Sequence, residues 1–464
     1  MTARRVLVIG ADGAGMSAAH QMLRSAREHD RELSVTVLDA GQHTSYSACG
    51  IPYVVSGEVA GIDDLVARTA EQHRAAGIDL RLGSRVTHLD LEAKVATVDG
   101  PEATTTVEFD EVVVASGATP VMPDWTRGPG GESVAGVMAA KDLEDAEAWA
   151  SRFAEGTGER VVVIGGGYIG IEMAEAALRR GLKVALVTRS RVLSTFHPEI
   201  SARVAASLTR AGVEVHLDTE VDDLEVHDGV VTGVRIGDDV LAAHHVVVAL
   251  GVRPATPFLA HTDLLQPNGA LRPDERGQVA PGVWAAGDCC EVQARPIGEW
   301  VYVPLGTHAV KCGRIVGENL GGGDLTFGGV VGTAITRFAV GEEYIEIART
   351  GVSTRNPAGT ADSCVSVVTE GTTITGYMPH APTITLLVSA DRITRKLLAV
   401  EIVGGTGAGK RIDTAAAVLW AGGTVDDLAW MDLSYAPPVA TAWEVLQIAA
   451  RRVAERIDQE TAAG

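Results

Sequence analysis

Cysteine is scarce in this chain, with five in 464 residues: Cys49, Cys289, Cys290, Cys312 and Cys364. Their spacing fits neither a secreted disulfide scaffold nor a zinc site, since the adjacent pair 289–290 is not a CxxC, and no metal is expected. Long apolar runs are absent too; none reaches the roughly 18 residues that a membrane span needs. Basic residues are in deficit, 39 against 60 acidic, for a net charge of −21. That sign excludes nucleic acid and anionic membrane surfaces as partners but leaves room for local basic pockets. The chain opens directly on the strand-like "RRVLVIG", so no signal peptide is expected and a reducing cytoplasm is the expected location. Aromatic residues are few, at 4%, yet hydrophobic residues in total reach 46%. The length allows about three domains of roughly 150 residues, each with a sizeable core.

What the chain does have is a repeat. "RVLVIGADGAGMSAAHQML" reads as a buried strand, a glycine turn and a helix; "LSVTVLDA" is a second strand ending in Asp39, and "FDEVVVASGATP" (109–120) is a third. The pattern then restarts: "ERVVVIGGGYIGIEMAEAALRRG" (159–181), "LKVALVTRS", and "HHVVVALGVRPAT" (244–256). After the glycine-rich "GGGDLTFGG" the chain reads as strands, "YIEIARTGV" (344–352), "TITGYMP" (373–379) and "TITLLVSADRITRKLLAVEIVGG", followed by helices over 410–422, 424–432 and 440–457. The predicted fold is α/β: two Rossmann-like dinucleotide-binding units and a C-terminal α+β domain with an antiparallel sheet. The boundaries predicted are 1–120 for a first part of a flavin-binding domain, 121–245 for an NAD(P)-binding domain, 246–328 for the second flavin part, and 329–464 for a C-terminal dimerisation domain.

A glycine turn between strand and helix lets backbone N–H groups meet a pyrophosphate at the helix's positive end. "GGGYIG" supplies the full pattern with Gly165, Gly167 and Gly170. "GADGAG" supplies Gly10, Gly13 and Gly15, with Asp12 where the second glycine of the pattern falls. Asp39, at the end of the next strand, is placed to bind two ribose hydroxyls of an adenosine. In the second unit the matching position is Thr188, followed by Arg189 and Arg191. A missing carboxylate beside guanidiniums favours a 2′-phosphate, and so NADPH over NADH. Solvent-facing arginines are common, which is the competing explanation. Two dinucleotides in one chain suggest electrons passing between them. Asp288 in "VWAAGD" is placed to hold a flavin's ribityl chain, and the helix after "PLGTH" to point its N-terminus at the ring.

These parts assemble into a known pattern. Over its whole length the chain resembles the FAD- and NAD(P)-dependent pyridine nucleotide–disulfide oxidoreductases, and within them the single-cysteine branch, most of all coenzyme A disulfide reductase. The segments that carry the resemblance are "GMSAA", "CGIPYVV", "GGGYIGIEMAE", "WAAGD", "VVGTAITRFAV", "GAGKRIDTAAA" and "MDLSYAPP". The oxidase and peroxidase members have a histidine in the first glycine turn where this chain has Gly13. The basic residues usual after "GMSAA" are partly replaced, by His20, Gln21 and Leu23 with Arg24, and Met378 replaces one of a pair of tyrosines.

The resemblance implies FAD and NADPH as cofactors, with coenzyme A a further candidate, and a homodimer in which Tyr377 and Tyr435 of one subunit reach Cys49 of the other. It further implies that Tyr168 gates the nicotinamide pocket, with Glu172 nearby, and that Ser47 belongs with the flavin site. The expected activity is NADPH-dependent reduction of a low-molecular-weight disulfide through one redox-active cysteine, Cys49. Hydride would pass to the flavin and two electrons on to the sulfur. Cys49 is expected at the start of a helix, its thiol pKa lowered by the helix or the flavin edge, with Ser45 and Ser47 capping that helix or bonding the thiolate. Competing readings are a polysulfide or persulfide reductase, an NAD(P)H oxidase or peroxidase, and a flavin redox sensor without turnover. A lone cysteine is usually a packing residue; its place after a flavin-type unit overturns that prior.

Overall fold

The computed structural model describes residues 3–128, 130–351 and 364–463. The valine-rich strand Arg4–Ile9 lies at the centre of a six-stranded sheet. Leu33–Leu38 and Glu111–Val114 flank it in parallel, Asp79–Arg81 and Val283–Ala285 lie beyond them, and Gln278–Ala280 closes one edge antiparallel. Strands covered on both faces read as continuous apolar runs, and Glu111–Val114 and the last four residues of Arg4–Ile9 are wholly buried. The second unit repeats the design as a five-stranded parallel sheet, in the order Glu214–His216, Lys183–Val187, Arg160–Ile164, His245–Val248, Val137–Met138. The strand His245–Val248 of this sheet straddles the boundary read between 245 and 246, so residues 246–248 pack with the second unit and not with the first. The antiparallel pair Ala118–Pro120 and Val252–Pro254 links the two units.

The C-terminal region builds a five-stranded antiparallel sheet, Ala334–Val340, Glu343–Gly351, Leu397–Gly404, Thr383–Asp391, Cys364–Thr372. Helices Ile412–Ala421, Val425–Trp430 and Val445–Ala463 supply apolar side chains to its core. Two strand readings need correction. The run from "TITLL" onward is a hairpin that turns at 391–396, where Arg395 takes a positive φ of 58°. "TITGYMP" is not a strand but the loop after Cys364–Thr372, and its backbone bonds to the 437 region instead, Thr375 N–H donating to Pro437 O at 3.1 Å. The strand predicted over 344–352 runs to Gly351; residue 352 lies outside the described residues. No helix among the described residues is long and apolar enough to cross a membrane.

What positions the site is a pair of parallel helices, Gly13–Glu28 and Gly306–Gly321. Their contact ridge is Gly313, Gly317 and Gly321, one residue per turn. A β-carbon at Gly313 or Gly317 would lie 2.1 or 2.3 Å from the carbonyl oxygen of Ala14 or Ala18. The three glycines therefore let two backbones touch, and both helix N-termini point to the same side of the sheet. At Gly317 a gain of helix propensity of roughly 0.5–1 kcal/mol opposes an overpacking cost of roughly 1–3 kcal/mol. The cost wins: Gly317→Ala should lower the thermal midpoint by a few degrees in a calorimetric scan, and an unchanged midpoint would contradict the contact.

Candidate active site

The two glycine turns have the same physics. Gly10 and Gly165 hold φ near +110° (110° and 115°), and a β-carbon on them would sit 2.1 and 2.2 Å from the carbonyl oxygens of Ala115 and Ala249. At Gly15 and Gly170 it would lie 1.9 Å from the oxygens of Gly10 and Gly165. Only glycine closes such turns, so the chain must leave the strand sharply and enter the helix with free N–H groups facing outward. At Gly167 a β-carbon would meet nothing within 4 Å, which leaves open space for a pyrophosphate against the backbone. Gly13 is looser, with Val310 Cγ2 at 3.4 Å.

Asp12 fills in the first turn the position of Gly167 in the second. Its carboxylate leaves the helix uncapped and instead accepts Tyr46 N–H at 3.2 Å. Burial is the main cause that lifts it from 3.8 to about 6, and neighbouring Asp39 adds to it. Asp39 accepts Ala11 N–H at 2.6 Å and Gly41 N–H at 2.8 Å. A carboxylate has about four acceptor positions, so two remain for ribose hydroxyls. Asp288 follows the strand Val283–Ala285; burial raises its pKa, and its carboxylate accepts no hydrogen bond from the described residues. A half-buried carboxylate with acceptor positions to spare fits the hydroxyls of a ribityl chain. The residues around the first turn thus fit FAD, and those around the second fit a nicotinamide dinucleotide.

Cys49 lies in the single turn Ala48–Gly50 that leads into the helix Ile51–Ser56. The segment before it is tied to the first glycine turn. Ala11 O accepts Thr44 Oγ1–H at 2.5 Å and Ser45 N–H at 3.2 Å, besides the bond from Tyr46 to Asp12. Behind it, Arg180 Nε donates to Val55 O at 2.9 Å. Cys49 itself is exposed. The other cysteines are placed differently: Cys289 and Cys290 are buried, their sulfurs 3.7 Å apart.

Two expectations about this segment fail. Neither Ser45 nor Ser47 caps the helix: Ser47 precedes the turn without a side-chain bond, and Ser45 Oγ is 2.9 Å from His73 Nε2. Nor does the chain lower the Cys49 thiol. Desolvation raises it, Glu172 adds to the rise, and Lys141 is the one cation that opposes it. A six-residue helix has too little dipole to outweigh that. Lys141 was not singled out from sequence, because a lysine in a loop has no signature. Its field reaches Cys49, Asp12 and Asp288 together.

Glu172 is half-buried on the helix Tyr168–Arg179 and accepts Thr336 Oγ1–H at 2.6 Å; desolvation lifts it from 4.5 to about 7. Tyr168, at the start of that helix, has a buried hydroxyl with no partner, and its ring stands edge-on to Phe196 at 6.2 Å. Thr188 is buried at the end of Lys183–Val187, Arg189 is exposed, and Arg191 Nη2 reaches Phe196 O at 3.4 Å while its Nε has no partner. Tyr377 and Tyr435 are 72% and 50% exposed and interact with one another rather than with Cys49 of the same chain. Among the described residues no cluster of three or more His, Cys, Asp or Glu could hold a metal.

A cavity of about 750 Å³ opens beside the first helix pair. Arg24 and Arg27 from one helix, Arg314 from the other and Arg68 from the loop before Ala70–Ala75 line it, together with His20 and Glu28. Four arginines line one cavity in a chain of net charge −21, a local excess of positive charge. Arg27, Arg68 and Arg314 come from three separate stretches of the chain, so only the fold brings them to one cavity.

The family model described as "Pyridine nucleotide-disulphide oxidoreductase" matches residues 4–313. The NAD(P)H coenzyme A polysulfide/persulfide reductase of Pyrococcus horikoshii is 34% identical over 453 residues, covering 97% of this chain and 98% of that one. Among solved structures, an NAD-dependent persulfide reductase from A. fulgidus superposes with a TM-score of 0.89 at 29% identity, over 98% of this chain and 84% of that one. An engineered water-forming NADPH oxidase, derived from the NADH oxidase of Lactobacillus brevis, superposes with a TM-score of 0.88 at 25% identity, over 98% and 100%.

Glu172 gives a pH signature. In the unfolded chain it ionises near 4.5, in the fold near 7. Between those values the folded form holds the extra proton, so stability is fully present below about pH 4.5 and falls as pH rises through 7. Glu172→Gln should flatten that fall in denaturant titrations of flavin-free protein across this range, by an amount on the order of 3 kcal/mol. A slope that the variant leaves unchanged would mean that Glu172 is solvated.

Proposed function

Because this chain belongs to the pyridine nucleotide-disulphide oxidoreductases, a family of flavin- and NAD(P)H-dependent enzymes, we propose that it uses NADPH to reduce a sulfur–sulfur bond of a small polyanionic thiol carrier at Cys49. The observation that carries this reading is one exposed cysteine whose segment is bonded at Thr44 and Ser45 to the first glycine turn and at Ser45 O to Ala67 N–H, the residue before the cavity-lining Arg68. A thiol that bears several phosphate groups matches that cavity, and coenzyme A is the carrier with this chemistry. The Cys49 thiolate attacks one sulfur of the carrier's disulfide, forms a mixed disulfide and releases the other sulfur as a thiolate. Two electrons then return Cys49 to the thiolate and release the carrier as its thiol. Bound FAD supplies the two-electron link between reduced nicotinamide and sulfur. Lys141 favours the thiolate electrostatically, and Thr336 holds Glu172 at the nicotinamide side.

A persulfide of the same carrier is the second reading, favoured by the names of the Pyrococcus and A. fulgidus relatives; the same attack then releases sulfide. Oxygen chemistry is disfavoured by Gly13, which brings no side chain to the flavin turn. A sensor without turnover would accept electrons from NADPH and stall with every small oxidant. The exposed aromatic side chains Tyr377, Trp430, Tyr435 and Trp443 of the C-terminal domain support a homodimer in which the two tyrosines reach the partner's Cys49.

For the nucleotide, Thr188 in place of an acid, with Arg189 free in solvent, supports NADPH. The engineered oxidase is consistent with this, since its substitutions remove one aspartate and add two arginines. Steady-state kinetics should give a higher kcat/KM for NADPH than for NADH, and Arg189→Ala with Arg191→Ala should lower the NADPH value by about tenfold or more while sparing NADH. A wild-type preference for NADH would sink this assignment. Cys49→Ser should still bind FAD and be reduced by NADPH in anaerobic spectra. Its turnover of coenzyme A disulfide and of coenzyme A persulfide should fall to background. Turnover near the wild-type rate would make Cys49 a packing residue.

A further inference from the structure

The loop between the strand Lys183–Val187 and the helix Pro198–Arg210 carries Arg189 and Arg191, and the C-terminal sheet holds its far end. Glu401, on the strand Leu397–Gly404, is fully buried. Its Oε2 accepts His197 N–H at 2.6 Å, and its Oε1 has no partner. Arg349 lies directly across from it on the strand Glu343–Gly351. That guanidinium stands 5.5 Å from the centre of the Phe196 ring and donates to Thr195 O at 3.4 Å. Nearer its start the loop is bonded to the second glycine turn, Leu193 N–H donating to Gly166 O at 2.6 Å.

The peptide between Phe196 and His197 joins two opposite charges. Its N–H goes to Glu401, and its carbonyl takes Arg191 Nη2–H at 3.4 Å. The peptide is trans, so its carbonyl and N–H point in opposite directions, and the carboxylate and the guanidinium lie on opposite sides of it. A carboxylate on the N–H polarises such a peptide and makes its carbonyl a better acceptor. Glu401 therefore strengthens the bond that holds Arg191 inward. The length of 2.6 Å is as short as bonds to an ionised acceptor are. Burial disfavours that charge; His197 N–H, Arg349 and Arg191 support it.

The hold is not a rigid one. The bond from Arg191 to Phe196 O is long, and its Nε is a buried donor without a partner. A guanidinium with unused donors is drawn off by a stronger acceptor, and a 2′-phosphate is one. Arg189 is exposed and needs no such release, so the two arginines are not equivalent. We infer that Glu401 is a positioning residue that sets the strength of the preference for NADPH: through the Phe196–His197 peptide it holds Arg191 inward, and the 2′-phosphate has to compete for that guanidinium. The residue that tunes the nucleotide site thus belongs to the C-terminal sheet, more than 200 residues along the chain from the loop it acts on. The inference rests on the assignment of NADPH to this loop.

The test is calorimetric binding of two probes to the FAD-loaded enzyme: 2′-phospho-ADP-ribose, which has the 2′-phosphate, and ADP-ribose, which lacks it. Glu401→Gln keeps the shape and an acceptor for His197 N–H but removes the charge. It should bind 2′-phospho-ADP-ribose about fivefold more tightly than the wild type does, the order of one hydrogen bond's net worth, and ADP-ribose unchanged. Arg191→Ala should weaken 2′-phospho-ADP-ribose, and adding Glu401→Gln to it should change nothing further, because the two act through one bond. If the buried amide prevents folding, Glu401→Met, similar in volume and uncharged, takes its place. A wild type that binds both probes equally overturns the NADPH assignment and this inference with it. Where the wild type discriminates, three results overturn the role of Glu401 and leave the NADPH assignment standing. They are a Glu401 variant that fails to tighten the phosphorylated probe, one that shifts both probes alike, and an effect that survives in Arg191→Ala.

Discussion

The peptide of Ala11 is the point from which the site is hung. Its N–H goes to Asp39 and its carbonyl takes both Thr44 Oγ1–H and Ser45 N–H. The backbone of one residue therefore fixes three things at once: the shape of the first glycine turn, the orientation of the acid expected to hold a ribose, and the start of the cysteine segment. A shift of this turn would move all three together. That explains why the surrounding contacts are made by backbone and by short side chains that lose little entropy when fixed.

The charge environment is assembled around that point from distant parts of the chain. Asp12, Glu172 and Asp288 are all carboxyls pushed up by burial near Cys49, and Lys141 is the cation set against Asp12 and Asp288. In the protein alone this balance keeps Cys49 protonated. Activation of the thiol must come with what binds, and the chain's part is to have the cation, the two helix N-termini and the arginine cavity already in place. A protein of strongly negative net charge gathers its positive groups locally, in the cavity and on the Thr188 loop, where they do not need a basic surface overall.

The elements readable from the sequence are those whose cause is local. Gly10, Gly15, Gly165 and Gly170 are dictated by turns that leave no room for a β-carbon, and two valine-rich strands before them can only be buried in parallel sheets. The loop 373–379 was misread because its alternation is strand-like while its bonding partner, the 437 region, is remote in sequence. The serine caps failed for a related reason: Ser45 had a buried histidine, His73, to bond with instead. Nothing within ten residues of either announces the other.

The sequence by itself determined the two nucleotide folds, because glycine sterics and apolar periodicity act between neighbours, and it singled out the cysteine proposed to carry the chemistry. Only the tertiary structure decided what electrical surroundings that cysteine has. Lys141, Thr336, the four arginines of the cavity and His73 reach their places through the packing of separate domains. Electrostatic and hydrogen-bond terms depend on distance in space and on exclusion of water, and neither is fixed by spacing along the chain.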